Sequence, residues 1–172
     1  MHTFLKRLLL LCSMVDVSYG HIVSAPFLDA IVACDKLIPE FETRHSLADY
    51  QLRLQNQVGF KFAIVFPSVD MPHGYVCAYQ ASLDGTFQRL DSKNMYIFSA
   101  GVIPEFRGLN LMKQLLGSLQ MIKVYDKKIS TVSLHLPTRF SPMMHIANKL
   151  GYQQKSRSGS GLDEKYLLVK EL

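Results

Sequence analysis

The sequence predicts a mixed α/β fold, in which a mostly antiparallel central sheet carries helices on both faces. The apolar period is helical near the start of the chain and becomes strand-like after residue 58. In the second half, strands and helices then alternate. We therefore expect a single domain over residues 1–172, with a helical part at 1–58 and a sheet core at 59–172.

The first segment of the chain has two interpretations. Its basic start and short apolar run, MHTFLKRLLLLCSMV, have the outline of a secretory signal peptide. The following VDVSYG is a poor cleavage region, however, and the run is too short to cross a bilayer. We favour an uncleaved amphipathic helix or a first strand, and expect a cytoplasmic protein without membrane partners; secretion is the alternative.

Two helices are predicted in the N-terminal part. Residues 27–39 place apolar side chains at helical spacing, and this helix is expected to end before Pro39. Ser46 can cap a second helix that begins at Leu47.

Three strands are predicted in the middle of the chain. β-branched and aromatic residues dominate 60–66 and 75–83, which we expect to pair as an antiparallel hairpin with a long loop. Residues 95–103 are apolar almost without interruption, which predicts a third strand buried on both faces.

Helices and strands alternate in the last part. From Leu111, apolar residues recur at helical spacing as far as position 122, which predicts an amphipathic helix. A strand at 130–136 follows, and then a helix with Ser141–Pro142 as N-cap and first turn and Gly151 as C-cap. Two more strands are expected, one from Tyr152 and one over 165–172.

Composition limits the function classes. The net charge of +5 is scattered in short basic groups, which indicates solvated surface lysines first and an anionic cofactor second. No aromatic residues are interleaved with the basic ones, which argues against a nucleic-acid groove. The three cysteines are far apart and form no C-x-x-C pair, so we expect neither a disulfide framework nor a metal site.

The stretch GVIPEFRGLNLMKQLL, residues 101–116, passes from a strand to a helix through Arg107 and Gly108. The first N–H groups of a helix lack partners and suit a phosphate group. Glycine permits close approach of the backbone, and arginine adds a forked cationic donor. From these residues alone, a plain turn is an equal alternative, with Arg107 solvated or paired with Glu105.

The same stretch resembles the central motif of the GNAT superfamily of N-acetyltransferases, V-x-P-x-x-R-G-x-G-x-G/A, which enters a helix ending in paired leucines. The residues that match this motif and its helix are Val102, Pro104, Arg107, Gly108, Leu115 and Leu116. GYVCAYQAS resembles the strand before the motif, and MMHIANKLGYQ resembles the late helix of the family, which ends in L-G-F/Y. The resemblance covers about residues 60–155 and predicts a GNAT-like acyltransferase fold.

The resemblance implies a transferase that moves the acetyl group of acetyl-CoA, its co-substrate, to an amine of a small molecule or protein. In this family the amine attacks the thioester directly and thiolate leaves. The acetyl-CoA-binding motif would be 100–116, with pyrophosphate on the helix N-terminus and the thioester beside the strand. By this resemblance, the cofactor-binding residues are Gly101, Val102, Ile103, Arg107, Gly108, Leu109, Asn110, Leu111 and Met112. The acceptor would be chosen by residues 1–58 and the loops, and a homodimer is compatible with these features.

Four positions depart from the family pattern. Asn110 replaces the second glycine and Met112 the final glycine or alanine. Tyr96 stands at the position of the usual glutamate base, and Ala147 at that of the usual tyrosine acid. Tyr96 and His135 are the catalytic candidates, with a core aromatic and a structural histidine as the respective alternatives. The second candidate function is therefore a catalytically degenerate GNAT-fold module that binds acyl-CoA or a protein partner, and a third is transfer of a longer acyl chain.

Overall fold

The computed structural model describes residues 16–40, 45–86 and 93–172; the predictions for residues 1–15, including Cys12, lie outside this range. Within the described residues, the strands are β1 Asp16–Gly20, β2 Lys61–Pro67, β3 Pro72–Gln80, β4 Asn94–Val102, β5 Thr131–Pro137, β6 Gln153–Ser158 and β7 Lys165–Glu171. The α-helices are α1 Ala25–Lys36, α2 Leu47–Gln51, α3 Leu111–Ser118, α4 Ile122–Tyr125 and α5 Ser141–Lys149. A π-helical turn, Leu52–Asn56, continues α2.

The strands form one mixed sheet in the order β1-β2-β3-β4-β5-β7-β6. Among the described strands, the β4–β5 pair is parallel and every other pair is antiparallel. The predicted hairpin of β2 and β3 is confirmed. Strand β1 is missing from the predicted order, because its five residues are too few to show a period; it pairs with the outer side of β2.

Helices cover both faces of the sheet, as predicted. On one face, α3 and α5 contribute Leu111, Leu115, Leu116 and Ala147 to a core with Ile64, Val76 and Ile97 of the strands. On the other face, α1 and the α2 segment contribute Leu28, Ile31, Cys34, Tyr50 and Leu54. No helix in the described part of the chain is long and apolar enough to cross a membrane.

The helix ends follow local sequence signals with one exception. At Ser46, the hydroxyl accepts the Asp49 N–H at 3.1 Å, and the Asp49 carboxylate accepts the Ser46 N–H at 2.8 Å. Gly151 ends α5 with φ of 88°, as expected. The prediction of Ser141 as N-cap is wrong: Phe140 occupies that position and Ser141 is the first helical residue, so no side chain caps α5.

The predicted helix from Leu111 is shorter than its apolar period suggests. Helix α3 ends at Ser118, a 3-10 turn follows at Leu119–Met121, and α4 then begins at Ile122. Of these three segments, only α3 adjoins the turn that contains Arg107 and Gly108. Two of the three cysteines, Cys34 and Cys77, are buried free thiols, in keeping with their expected role as small apolar residues.

Candidate functional site

The two parallel strands at the centre of the sheet separate along their length. β4 and β5 pair only from Asn94–Tyr96 against Thr131–Ser133, although β4 continues to Val102 and β5 to Pro137. Beyond Tyr96 the gap between them opens into a cavity of about 690 Å³, called here the β4–β5 cleft. Its apolar wall includes Ile97, Leu116 and Leu134, so an extended ligand can enter the sheet there.

A β-bulge lies in β4 where the strands separate. Cys77 of β3 pairs with Ser99 and Ala78 pairs with Ile97, which leaves Phe98 as the extra residue. Beyond the bulge, the Ile103 N–H donates to the His73 carbonyl at 2.9 Å. Because hydrogen-bonding direction alternates along a strand, the N–H and C=O of Val102 and Ala100 face the opposite edge, toward the cleft. The Arg107 Nε donates to the Val102 carbonyl at 3.2 Å, as this orientation requires.

The N-terminus of α3 opens into the same cleft. The Gln114 N–H donates to the Asn110 carbonyl at 3.0 Å, which begins the helical ladder. The N–H groups of Leu111, Met112 and Lys113 therefore have no acceptor within the helix, and all three residues line the cleft. Unpaired N–H groups at the positive end of a helix dipole bind phosphate oxygens. We call these three N–H groups the α3 cradle.

The turn that leads into α3 contains two residues in the left-handed backbone conformation, with positive φ angles. Gly108 has φ of 82° and Asn110 has φ of 58° and ψ of 16°. Asparagine is among the side chains that tolerate this conformation best, which explains how Asn110 replaces a glycine of the motif. Its side chain makes no capping hydrogen bond to the helix.

Arg107 is held at the rim of the cleft by an ion pair. Its guanidinium donates to both carboxylate oxygens of Glu40, with 2.7 Å between Nη2 and Oε2. Each side chain is 42% exposed, so solvent screens the pair in part. Hydrogen bonding to Arg107 lowers the pKa of Glu40 from 4.5 to about 2. The alternative in which Glu105 pairs with Arg107 is wrong, because the partner is Glu40, which lies four residues beyond the end of α1.

The remaining expected cofactor-binding residues divide into two groups. Gly101, Val102, Gly108, Asn110, Leu111 and Met112 line the cleft, as does Arg107. Ile103 instead packs in the core against α1 and α2, and Leu109 is 66% exposed outside the cleft lining. Alternation of the strand accounts for Ile103, because its neighbour Val102 packs in the core on the other face.

A second pocket, of about 280 Å³, adjoins the cleft at the β4–β5 gap. It is lined by His45, Arg53, Tyr79, Gly85, Tyr96, Phe98, His135, Pro137 and Lys165. Five of these residues also line the cleft, namely His45, Phe98, His135, Pro137 and Lys165. The two cavities therefore meet at the point where the strands separate.

The structure brings Tyr96 and His135 together in this second pocket. The Tyr96 hydroxyl lies 3.1 Å from His135 Nδ1, and the tautomer of the imidazole decides which atom donates. Burial raises the pKa of Tyr96 and lowers that of His135, and the charge of Lys165 lowers the His135 pKa further. At neutral pH the pair therefore consists of a protonated phenol and an uncharged imidazole, which is able to accept a proton.

Other candidate positions lie away from the pocket. Ala147 lies on the core-facing side of α5 and is fully buried, and His145 on the same helix is exposed. Neither side chain replaces the tyrosine acid of the family pattern. Within the described residues, no group of three His, Cys, Asp or Glu side chains is placed to hold a metal ion.

Sequence reasoning missed the three other basic or imidazole side chains of the second pocket. His45 and Arg53 come from the α2 region, and both contact Phe98: the His45 ring centroid lies 4.1 Å from that of Phe98, and the Arg53 guanidinium carbon 4.2 Å from it. Lys165 is the first residue of β7. No motif marks these positions, because they meet only through the bulge and the sheet order.

Comparison with known proteins supports the fold at low sequence identity. No protein-family model and no curated protein matches the sequence. NAA60 of Arabidopsis thaliana in complex with acetyl-CoA has a TM-score of 0.65 and 16% identity, over 91% of this chain and 100% of that chain. Naa50 of the same plant, in complex with the bisubstrate analogue CoA-Ac-MVNAL, has a TM-score of 0.66 and 15% identity, over 92% of this chain and 99% of that chain. The ribosomal-protein-S18-alanine N-acetyltransferase of Escherichia coli has a TM-score of 0.67 and 11% identity, over 92% of this chain and 94% of that chain. The chain thus has the fold of these acetyltransferases, which confirms the fold that its motif predicts.

Proposed function

We propose that this protein is an acetyl-CoA-dependent N-acetyltransferase that uses the β4–β5 cleft for acetyl-CoA and the second pocket for the amine. The observation that carries the proposal is the junction of the two cavities at Tyr96 and His135. Similar structures hold acetyl-CoA, CoA or a bisubstrate analogue, and a direct transfer requires both substrates to meet in this manner.

The cleft has the groups that acetyl-CoA needs. The α3 cradle supplies N–H donors for the diphosphate, and the positive φ angles of Gly108 and Asn110 aim this turn at the cleft. The backbone N–H and C=O groups of Ala100 and Val102 that face the cleft can form hydrogen bonds with the amides of the pantetheine arm. Met112 replaces a smaller residue of the motif but forms part of the wall, leaving the cavity open.

In the proposed mechanism, His135 prepares the acceptor. Nδ1–H donates to the Tyr96 oxygen, which orients the ring and leaves the Nε2 lone pair to take a proton from the amine. Acetyl-CoA supplies the acetyl group: the amine nitrogen forms the new C–N bond, the C–S bond breaks, and the thiolate takes a proton from solvent. Tyr96 acts by holding His135 in this tautomer and keeps its own proton.

The test measures thiol release from acetyl-CoA with a panel of amines, beside calorimetric titration of acetyl-CoA. We expect micromolar binding and turnover, and a loss in kcat of about a hundredfold for His135→Gln and about tenfold for Tyr96→Phe. The Kd of acetyl-CoA should stay unchanged in both variants. His145→Gln, at an exposed position of α5, is the matched histidine control and should retain full activity.

The alternative function, a binding module without turnover, is favoured by the buried Ala147 at the position of the family acid. It would be supported by tight acetyl-CoA binding without thiol release for any amine. Absence of binding at millimolar acetyl-CoA would overturn the transferase and favour a module that acts through a protein partner. Palmitoyl-CoA as a second titrant tests the longer acyl donor.

A further inference from the structure

The second pocket has an unusual charge for a site that receives an amine. Four of its lining side chains are basic or imidazole groups, namely His45, Arg53, His135 and Lys165, and none of its described lining side chains is acidic. The others are aromatic or small. An ammonium ion entering this pocket meets no carboxylate among the described lining residues.

Two carboxylates whose charge reaches the histidines of the pocket, Asp49 and Asp84, already make local hydrogen bonds. Asp49 caps α2 through Ser46 and lies 3.5 Å from the Arg53 guanidinium. Asp84 accepts the Thr86 N–H at 3.0 Å in the turn after β3. Asp49 lies in the first turn of α2, and Asp84 lies in an exposed turn. Lys165 makes no ion pair with a described residue.

Arg53 is held near the proton-accepting pair, and Lys165 begins from a defined position in the sheet. The Arg53 guanidinium carbon lies 4.2 Å from the ring centroid of Phe98, the bulge residue two positions after Tyr96. The Arg53 side chain is only 19% exposed, so salt screens its charge less than that of a surface arginine. Lys165 extends from the first residue of β7, opposite Pro137 of β5.

Given the proposed function, on which this inference rests, we propose that the acceptor is an amine that carries an anionic group, such as a carboxylate, close to its nitrogen. Lys165 and Arg53 attract the anionic group of the acceptor, and this attraction determines which amines are preferred. The same positive field disfavours the ammonium form of the acceptor and increases the share of neutral amine that can attack. Two sources share this chemistry: a free amino acid, and a peptide N-terminus followed by acidic side chains.

The test compares charge-matched acceptors in about 0.15 M salt, with the full chain and saturating acetyl-CoA. Peptides of one length with a common N-terminal serine carry Glu, Gln or Lys at positions two and three; free glutamate and glutamine amide form the small-molecule arm. We expect kcat/KM for the Glu peptide, for glutamate, or for both to exceed that of the uncharged counterpart about fivefold. Whichever arm shows the larger ratio identifies the source.

Variants of Lys165 test the assignment to this residue. Lys165→Gln should bring the ratio of kcat/KM between the Glu peptide and the Gln peptide toward one, and Lys165→Arg should retain this ratio. Lys165→Glu should favour the Lys peptide. Lys155→Gln removes an equal charge from exposed β6, outside the pocket lining, and should leave the ratio unchanged. The side chain of Lys165 lies on the surface, so these variants should fold.

The outcomes separate the two proposals. Turnover without preference for anionic acceptors, or with preference for Lys peptides, overturns this inference and leaves the transferase assignment intact. If no acceptor is acetylated, calorimetry of the same peptides in the presence of CoA decides. Tighter binding of the Glu peptide that is lost in Lys165→Gln then supports the anion-reading pocket without the enzyme, and equal binding of all peptides overturns both.

Discussion

The ion pair between Arg107 and Glu40 allows the α3 cradle to be tested through the sign of an effect. If the cradle binds a diphosphate, the positive half of the pair attracts the ligand and the negative half repels it. For a charge roughly 8 Å from a diphosphate with about two negative charges, Coulomb's law at a dielectric constant of about 80 gives about 1 kcal/mol, or about fivefold in Kd. We therefore expect Arg107→Gln to weaken CoA binding about fivefold and Glu40→Gln to tighten it by a similar factor.

The two substitutions remove the same ion pair, and this makes the comparison informative. Each partner is 42% exposed, so either loss should cost less than about 1 kcal/mol of unfolding free energy. Isothermal titration with CoA, at low and at moderate salt, gives the two Kd values. Glu105→Gln removes a nearby exposed carboxylate of the same turn that does not pair with Arg107, and serves as the control. Changes of the same sign in both variants would show that the pair acts only through stability, and would refute a diphosphate at the cradle.

Three further predictions concern the pocket and the turn. An alanine at Gly85 would bring its Cβ to 2.6 Å from the Tyr96 ring, so Gly85→Ala should lower kcat with the Kd of acetyl-CoA unchanged by calorimetry. Because Asn110 has φ of 58°, Asn110→Val should lower the unfolding free energy by about 1–2 kcal/mol in urea, and Asn110→Gly should not. Burial lowers the pKa values of His45 and His135 below 6.5 in the folded protein. As the pH falls, these histidines are therefore protonated in the unfolded chain before they are protonated in the folded protein. The melting temperature should stay constant above pH 6.5 and decrease as the pH drops below it.

The elements that sequence patterns predict well are those whose causes are local. The cap at Ser46, the C-terminal glycine at Gly151 and the apolar face from Leu111 each depend on residues within one or two turns of a helix. The hairpin of β2 and β3 depends on two neighbouring runs and their loop. The motif turn was predictable as well, since the left-handed conformation of Asn110 is one that few other side chains accept.

The site depends on causes that are distant in the chain. Tyr96 and His135 are 39 residues apart, and their contact needs both the parallel pairing of β4 with β5 and its early end. The Arg107 partner lies 67 residues away, whereas the sequence offered the nearer Glu105. The extra residue Phe98 also shifts the alternation of β4, so a simple two-residue period assigns the faces beyond it wrongly.

A buried chain of hydroxyl groups holds this bulge in place. Hydrogen bonds run from Tyr50 to the Ser99 oxygen at 3.2 Å, between Ser99 and Tyr75 at 2.7 Å, and from Tyr75 to the Asp35 carboxylate at 2.9 Å. With Ser99 donating to Tyr75, each hydroxyl donates once and the chain ends on a charge, which satisfies every member away from water. Since Ser99 is the residue next to Phe98, the helices that carry Asp35 and Tyr50 determine where β4 leaves its regular path. The N-terminal helices thereby shape β4 at its bulge as well as one wall of the second pocket.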